Sequence, residues 1–355
     1  MNISTKQFQS CILRWFDQHG RKHLPWQENK TPYRVWLSEI MLQQTQVATV
    51  IPYFLKFMQR FPALAQLAKA TEDEVLHLWA GLGYYSRARN ILRAAKMMMA
   101  DYQGQFPDTV DELIKVPGIG PSTAGAIVAI AFNQRATILD GNVKRVLSRL
   151  HGITDPINDK KVEGILWSYA EQYTPKKRVA DYTQAMMDLG ATLCTRSKPA
   201  CERCPLMTRC VAHQLGIASL LPAKKATRKL PVREATFLII KKGKHIFLEK
   251  RPSFGIWGGL WSLPEIAGAP DKKTIRAFCR QRHQHSLTDY EALTPFRHTF
   301  SHYHLDIFPV LIEIYATASK VMEANQHIWY NPRKPDLVGL PKPVQVIMNL
   351  LGKTI

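Results

Sequence analysis

Apolar residues in the first part of the chain recur at helical spacing. Phe8, Ile12 and Phe16 fall on one face of a helix near the N-terminus. The helical pattern continues from Val35 to Phe57, where Pro52 is expected to interrupt it. Connectors that contain proline separate further helical segments, and few β-branched residues alternate with polar ones. The pattern therefore predicts an all-α fold for this part of the chain.

The pattern changes to that of strands after a basic stretch that contains two prolines. Thr236 to Ile240 and His245 to Glu249 are apolar segments joined by a short lysine-rich turn, which predicts a β-hairpin. Phe300 to Tyr315 also alternate in the manner of a strand. Helices are expected over Lys272–Gln284 and Val344–Leu351. Together these elements predict an α+β domain.

The chain is thus expected to be a multidomain protein of the α + (α+β) class. We assign an all-α domain to residues 1–215, a basic linker to residues 216–231 and a smaller α+β domain to residues 232–355. A length of 355 residues suits two domains of ordinary size. Hydrophobic residues make up 46% of the chain, which is enough to build a core in each domain.

The net charge of the chain indicates which kind of molecule the protein binds. The chain carries 48 Lys and Arg residues against 28 Asp and Glu residues, a formal net charge of +20. Residues 1–228 hold 30 basic and 18 acidic side chains, and residues 229–355 hold 18 and 10. Because both parts are basic, the charge favours two domains that grip one polyanion, which is either nucleic acid or an acidic membrane surface.

The sequence lacks the features that are typical of membrane-spanning, secreted and disulfide-rich proteins. No apolar run approaches the ~18–20 residues that a membrane-spanning helix needs. The N-terminus has no apolar signal-peptide core. We therefore expect a cytoplasmic, nucleoid-associated protein with no membrane partner. Six cysteines in a reducing compartment are also too few for a disulfide scaffold.

Four of the six cysteines lie within 17 residues, in the pattern C-x6-C-x2-C-x5-C: Cys194, Cys201, Cys204 and Cys210. Four thiolates this close in sequence can surround one soft metal centre. Structural zinc favours two close pairs, but only Cys201 and Cys204 form one here. The uneven spacing therefore favours an iron–sulfur cluster. The alternative is a set of unrelated buried thiols, which so dense a grouping disfavours.

Residues 113–124 predict a helix, a tight turn and a second helix. Pro121 suits the first position of the second helix. Gly118 and Gly120 would let a phosphate approach the backbone N–H groups. This arrangement is typical of a helix-hairpin-helix element, which holds DNA without reading its bases. A Pro-Gly-x-Gly string also occurs in ordinary turns, so the motif alone is weak evidence.

Two carboxylates suggest catalysis. Glu39 lies in an apolar helical segment, where it is either solvent-facing or desolvated; desolvation would raise its pKa and keep it protonated, as a general acid requires. Asp140 precedes another helix and could simply be its N-cap. Each residue alone is more often structural. Together they supply what glycosidic cleavage needs, which is an acid for the leaving group and a carboxylate beside an oxocarbenium-like centre.

These motifs resemble those of the adenine DNA glycosylases, the MutY family of the helix-hairpin-helix glycosylase superfamily. The resemblance covers nearly the whole chain in the right order. It rests on the four cysteines and on five segments: Leu37–Val47, Gly81–Tyr85, Val116–Gly120, Leu139–Arg145 and Phe296–His302.

The resemblance implies an all-α glycosylase domain with one 4Fe-4S cluster on the four cysteines, followed by a Nudix-like domain. Such an enzyme flips adenine out of duplex DNA and excises it where it is mispaired with 8-oxoguanine or guanine. Glu39 would protonate the adenine, and Asp140 would stabilise or capture the deoxyribosyl cation. The expected partner is duplex DNA with an adenine mispair, and the expected state is a monomer.

The resemblance also implies three sets of binding residues. The base pocket and the intercalating wedge would use Trp26, Leu42, Gln44, Tyr84, Glu163 and Gln184. The DNA phosphates would meet Val116, Gly118, Gly120, Ser122 and Lys144. The lesion base would be inspected by Phe300, Ser301 and His302. Taken without the resemblance, Trp26 and Tyr84 are better explained as ordinary core aromatics, and Lys144 could be a helix-surface charge.

Ser122 bears on the type of glycosylase. Related bifunctional enzymes carry a lysine at this point of the hairpin, whose amine forms a Schiff base and cleaves the strand. A serine cannot do this, so we expect a monofunctional enzyme that leaves an abasic site. This disfavours an endonuclease III-like lyase acting on oxidised pyrimidines. The retention of both carboxylates disfavours a non-catalytic iron–sulfur protein.

The C-terminal domain lacks the Glu-rich helix of a Nudix hydrolase, which leaves recognition as its expected role.

Overall fold

The computed structural model describes residues 3–223, 229–283, 289–314 and 326–354. The chain divides into two compact units: Met1–Lys69 with Asn90–Thr227, and Ala70–Arg89 with Arg228–Ile355. This division differs from the sequence-based boundaries in one respect, because residues 70–89 group with the C-terminal part. Part of the expected linker, residues 224–228, falls outside the described residues.

Most of the helices precede the first strand in the chain, as the sequence predicts. In the described residues none of them has the length and apolarity to span a bilayer. The helices are α1 (Thr5–His19), α2 (Pro32–Leu42), α3 (Val47–Arg60), α4 (Leu64–Ala68), α5 (Glu72–Trp79), α6 (Ser86–Asp101), α7 (Val110–Leu113), α8 (Pro121–Ala131), α9 (Gly141–Leu150), α10 (Lys160–Tyr173), α11 (Val179–Thr192), α12 (Val211–Gln214), α13 (Lys272–His283) and α14 (Lys342–Thr354).

The core of the first unit forms where α1 packs on α10 and α11, which in turn pack on α9. Helix α1 begins at a capping box in which the Ser4 hydroxyl accepts from the Gln7 backbone N–H. The predicted apolar stripe of α1 is buried, with Phe8 and Ile12 fully enclosed. The ring of Phe8 stacks on Tyr173 of α10 at 4.1 Å between centroids. Burial of this stripe, more than helix propensity, holds α1 in place.

The long helical segment is interrupted at a different place from the one predicted. The break lies between α2 and α3, at residues 43–46, where Gln44 adopts a left-handed φ of 56°. Pro52 lies inside α3. A proline there removes one backbone hydrogen bond, to the carbonyl of Ala48, and the remaining turns of α3 continue past it.

The second unit is built on one sheet with strand order β3-β2-β1-β7-β5; β4 pairs with β1, β6 with β7 and β8 with β2. The strands are β1 (Val232–Lys242), β2 (His245–Lys250), β3 (Trp261–Ser262), β4 (Glu265–Ala267), β5 (Glu291–Ala292), β6 (Phe296–Thr299), β7 (His304–Glu313) and β8 (His327–Tyr330). The predicted hairpin is present as the antiparallel pair β1–β2. The alternating segment after Phe300 forms β7, and Tyr315 lies outside the described residues.

A central parallel pair accounts for the continuous apolar sequence of β1. Strand β1 runs parallel to β7 in a register that pairs Val232 with His304 and Lys241 with Glu313. Six consecutive residues of β1 are buried, as expected of a strand covered on both faces. Ile275 and Cys279 of α13 pack in one apolar cluster with Leu238 of β1. Helix α13 ends at His283, and the predicted residue Gln284 lies outside the described part of the chain.

Polar contacts within the second unit hold α5 to the sheet. The Asp73 carboxylate accepts from Lys250 Nζ at 3.0 Å and from Trp261 Nε1 at 3.2 Å. His77 Nδ1 lies 3.1 Å from the backbone oxygen of Val338. These partners are far apart in sequence, so no local pattern could have assigned residues 70–89 to this unit.

Candidate active site

A pocket of the first unit encloses about 580 Å³. Its size is typical of a site for a small molecule or a single base. Six of the predicted site residues line it: Trp26, Glu39, Leu42, Ser122, Asp140 and Gln184. The pocket therefore gathers side chains that come from α2, α8, α11 and the start of α9.

Glu39 is the acid of this pocket. It lies in α2, whose other central residues, such as Trp36 and Ile40, are buried. Burial, together with the smaller effect of the nearby Asp140 carboxylate, raises the pKa of Glu39 to about 8. A carboxyl group with this pKa holds its proton at neutral pH.

Asp140 is both an N-cap and a pocket residue. Its Oδ1 accepts from the Val143 backbone N–H at 2.8 Å, and its Oδ2 accepts from Asn142 Nδ2 at 2.8 Å. Burial raises the pKa of Asp140, while these hydrogen bonds and the charge of Arg145 act in the opposite direction. The N-cap role predicted as an alternative is thus confirmed, and it coexists with a place in the pocket.

Ser122 connects the hairpin to the segment that leads to Asp140. It is the second residue of α8, and its Oγ accepts from the Leu139 backbone N–H at 3.0 Å. This bond ties the start of α8 to the residue that precedes Asp140. The hydroxyl therefore supports the position of a carboxylate, and no amine is present at this point of the hairpin.

Gln184 is held by a buried carboxylate that the sequence analysis did not identify. Gln184 Nε2 donates to Asp188 Oδ1 at 2.9 Å, one helical turn further along α11. Asp188 is fully buried and also accepts from Arg21, through the backbone N–H at 2.7 Å and Nη2 at 2.6 Å. Because Nε2 is directed at Asp188, the Gln184 carbonyl oxygen is the group that it can present to the pocket.

Two predicted pocket walls are present, and three other residues of the predicted base-pocket and wedge set (Gln44, Tyr84 and Glu163) lie elsewhere. Trp26 is buried against Phe54, with the ring centroids 5.5 Å apart. Leu42, the last residue of α2, lines the pocket beside it. Gln44 and Glu163 do not line it. Gln44 is exposed in the break between α2 and α3.

Glu163 instead forms an ion pair. Its Oε1 lies 2.7 Å from the Nζ atom of Lys144, which links α10 to α9. The side chain of Lys144 is 17% exposed and that of Glu163 is 40% exposed. Lys144 is therefore held by a partner on the neighbouring helix.

The predicted helix-hairpin-helix is present as α7, a turn and α8. Pro121 stands at the first position of α8, with Gly120 as the N-cap. Gly118 has a φ of 85°, and a Cβ there would lie 2.8 Å from the Cβ of Asn90. Gly118 and Gly120 are exposed, whereas Val116 is buried. The turn thus offers backbone, not side chains, to a ligand.

The four clustered cysteines line one small cavity of the first unit. All four are free thiols. Arg149, which is 1% exposed, donates from Nη1 to Cys194 Sγ at 3.2 Å. The Cys210 thiol donates to the Arg149 backbone oxygen at 3.3 Å. Among the described residues, no group of three or more histidine, cysteine or acidic side chains is arranged to hold a metal ion.

The remaining predicted residues lie in the second unit. Tyr84 is 49% exposed, with a φ of 50°, and the Arg87 guanidinium lies 5.4 Å from its ring centroid. Phe300, Ser301 and His302 form the turn between β6 and β7. Phe300 is half-buried, and Ser301 and His302 are exposed.

Several pocket residues were missed by sequence reasoning. Arg21, Asn142 and Arg145 line the pocket with the predicted residues. Arg145 Nη2 donates to Asn142 Oδ1 at 2.8 Å and to the Gly190 oxygen at 2.6 Å. Asn142 and Arg145 stand within the segment Leu139–Arg145, so its match to a family motif was an available signal. Arg21 offered none, because its partner Asp188 is 167 positions away.

Family comparisons match two separate parts of the chain. Residues 37–172 match the family model of the HhH-GPD superfamily base excision DNA repair proteins, and residues 235–350 match that of the NUDIX domain. The adenine DNA glycosylase of Buchnera aphidicola subsp. Acyrthosiphon pisum is 41% identical over 348 residues, which cover 98% of each chain. The chain belongs to the adenine DNA glycosylase family. The predicted fold class and family membership are therefore confirmed.

More distant members extend the same result. The adenine DNA glycosylase of Homo sapiens is 36% identical, over 83% of this chain and 65% of the human protein. Among solved structures, a thermostable thymine-DNA glycosylase superposes with a TM-score of 0.53 and 27% identity, over 59% of this chain and 97% of that one. These relatives place the chain among the DNA glycosylases of base excision repair.

Proposed function

We propose that the protein excises adenine that is mispaired with 8-oxoguanine, or with guanine, in duplex DNA by hydrolysing the N-glycosidic bond. The observation that carries the proposal is the pair of carboxyl groups in one pocket, of which Glu39 has a pKa of about 8 and Asp140 receives two hydrogen bonds that favour its ionised form. Different environments give the two groups different roles. We infer that the enzyme works on the chromosome in the cytoplasm.

The two groups divide the reaction between them. Protonated Glu39 donates its proton to a ring nitrogen of the flipped adenine, so the base leaves as a neutral molecule. The glycosidic electron pair goes to the base, and the sugar becomes an oxocarbenium-like cation. Asp140, as the carboxylate, stabilises or captures this cation, and water completes the hydrolysis to an abasic site.

The contact between the buried Asp188 and Gln184 favours adenine as the base that binds in the pocket. It binds the amide nitrogen of Gln184 and thereby directs the carbonyl oxygen of Gln184 to the pocket. An acceptor in that position can take a hydrogen bond from the exocyclic amino group of adenine. A base that carries a carbonyl group instead of this amino group would place its oxygen against the Gln184 oxygen, and two acceptors cannot form a hydrogen bond.

Ser122 supports a monofunctional reaction. Its hydroxyl accepts from the Leu139 N–H and helps to fix the position of Asp140. It offers no amine for a Schiff base, so the abasic site is the product.

We assign one 4Fe-4S cluster to the four cysteines. Their thiols line one cavity, and they are all unpaired with one another. Four cysteine thiolates are the ligand set that a 4Fe-4S cluster takes, and these four residues would supply it. The buried guanidinium of Arg149 offsets part of the negative charge that four thiolates would bring. When bound, the cluster would cross-link the loop that follows α11.

DNA contacts are assigned to three further sets of residues. The exposed backbone of Gly118 and Gly120 would hold phosphate groups. The exposed ring of Tyr84 would stack on bases beside the lesion, since base–aromatic stacking needs no particular base. Ser301 and His302 would bond the polar edge of 8-oxoguanine, with Phe300 beside them.

The proposal is tested by single-turnover base release from duplexes that contain adenine opposite 8-oxoguanine, guanine or thymine. We expect fastest release opposite 8-oxoguanine, with an abasic site as product. Glu39→Gln should abolish release and leave binding of the mispair intact; the exposed Glu28→Gln is the matched control and should react at the wild-type rate. Normal turnover by Glu39→Gln would remove Glu39 from its role, and equal rates opposite all three bases would remove the assigned preference.

A further inference from the structure

An aromatic cluster surrounds Phe300 in the second unit. The Phe300 ring stacks on Tyr303 at 4.6 Å and meets His298 edge-on at 4.7 Å. The third neighbour is Trp257, whose ring centroid lies 5.1 Å from that of Phe300. The Phe300 N–H also donates to the Tyr303 oxygen at 2.9 Å, which closes the turn. Phe300 thus links the exposed Ser301-His302 tip to the body of the unit.

Trp257 comes from a different loop and holds an unusual backbone conformation. It lies between β2 and β3, is only 8% exposed and has a φ of 57°. Left-handed backbone is uncommon for a bulky aromatic residue and persists only where the surroundings stabilise it. The strain is offset by packing, because the indole also meets Phe237 of β1, with centroids 6.3 Å apart.

Charged and backbone contacts fix the loop that carries Trp257. The Arg251 guanidinium lies 5.7 Å from the indole centroid, and its Nη1 is 2.8 Å from Glu265 Oε2. The Leu260 N–H donates to the Trp257 oxygen at 3.0 Å, and the Arg251 N–H donates to the Leu260 oxygen at 2.9 Å. The indole is therefore a fixed surface against which a more exposed ring rests.

We propose that Trp257 is a positioning residue for lesion recognition. Its indole fixes the Phe300 ring, and this holds Ser301 and His302 in the geometry that reads the base opposite adenine. The inference rests on the proposed role of the Phe300–His302 turn. The tip itself is exposed and short, so a preformed conformation saves the ordering cost of binding.

The test measures single-turnover adenine release by the full chain from duplexes with adenine opposite 8-oxoguanine and opposite guanine. Trp257→Ala is expected to lower the preference for 8-oxoguanine about tenfold while the rate opposite guanine changes less than twofold. Trp257→Phe keeps a ring and should restore most of the preference. Trp329→Ala removes an indole from β8 that packs on Phe247 and should leave the preference at its wild-type value.

A double-mutant cycle separates positioning from general stability. If Trp257 acts through Phe300, Phe300→Ala and the double variant should lose the same preference, because the two changes remove one interaction. Melting temperatures of all variants are recorded beside the rates. Additive losses, or a loss that follows the melting temperature and is shared by Trp329→Ala, would overturn the inference.

The single variants distinguish a failure of this inference from a failure of the proposed function. Loss of preference in Phe300→Ala with full preference in Trp257→Ala overturns the inference alone. Full preference in Phe300→Ala overturns the proposed role of the turn, and the inference with it.

Discussion

Replacement of Glu39 by glutamine should stabilise the folded protein in a pH-dependent way while it abolishes base release. The carboxyl group has an ordinary pKa of 4.5 and a folded pKa of about 8, chiefly because of burial. Between these pH values the unfolded chain has lost the proton and the folded chain has kept it. The unfolded state therefore binds fewer protons, and the free energy of unfolding falls as pH rises through this window.

The size of the effect follows from the two pKa values. Each pKa unit corresponds to about 1.36 kcal/mol, so the cost of Glu39 is about 3 kcal/mol at pH 7 and approaches about 5 kcal/mol above pH 9. These are upper bounds, because the side chain borders a pocket that admits water. Glutamine does not titrate. The stability gained by Glu39→Gln should thus be near zero at pH 4.5 and largest at pH 8–9.

Thermal unfolding at pH 5 and pH 8 measures this difference. A gain of about 3 kcal/mol corresponds to a rise in melting temperature of roughly 6–12 °C for a unit of this size. Glu28→Gln, which changes an exposed side chain of the same type, should show no such pH-dependent gain. An effect of Glu39→Gln that is the same at both pH values would refute the assigned pKa. In the wild-type enzyme, base release should decline as pH rises through about 8, as the acid loses its proton.

Three further substitutions test other parts of the site. Ser122→Lys places an amine in the hairpin and should convert part of the product to a cleaved strand without alkali; a purely abasic product would contradict this. Asp188→Asn removes a buried charge that holds Arg21 and Gln184, and should cost about 3 kcal/mol of unfolding free energy, measured in urea. Gly118→Ala forces a Cβ towards Asn90 at a φ of 85° and should cost about 1–2 kcal/mol. Gly118→Ala should also weaken binding of matched and mispaired duplexes equally in salt titrations, whereas a loss confined to mispairs would argue against a phosphate contact.

The sequence predicts features that depend on neighbours in the chain. The buried stripe of α1, the β1–β2 hairpin, the turn at Gly118 and the N-cap at Asp140 all follow from spacing and residue type over a few positions. Features that depend on distant partners were not predicted. The importance of Asp188 follows from its contact with Arg21, which is far away in sequence. Residues 70–89 belong to the C-terminal unit because of contacts with partners such as Lys250.

The place where the helical segment is interrupted, between α2 and α3, shows a second limit of prediction from sequence. Proline was expected to interrupt the helical segment at Pro52, but the break lies at Gln44, a residue type with no strong preference for turns. Tertiary packing of α2 and α3 outweighs local propensity there, which is common for single residues. The left-handed Trp257 is a similar case, because nothing in its local sequence signals that conformation.

The two interpretations of Asp140 that the sequence left open prove to be one physical arrangement. A carboxylate at an N-cap receives backbone hydrogen bonds and lies at the positive end of the helix dipole, and both favour the ionised form. Asp140 has such bonds from Val143 and from the Asn142 side chain. Burial and the Asp140 charge both raise the pKa of Glu39. The hydrogen bonds of the cap therefore oppose the burial that raises the pKa of Asp140. A structural role for Asp140 is therefore compatible with the proposed reaction, in which Asp140 is the carboxylate and Glu39 is the acid.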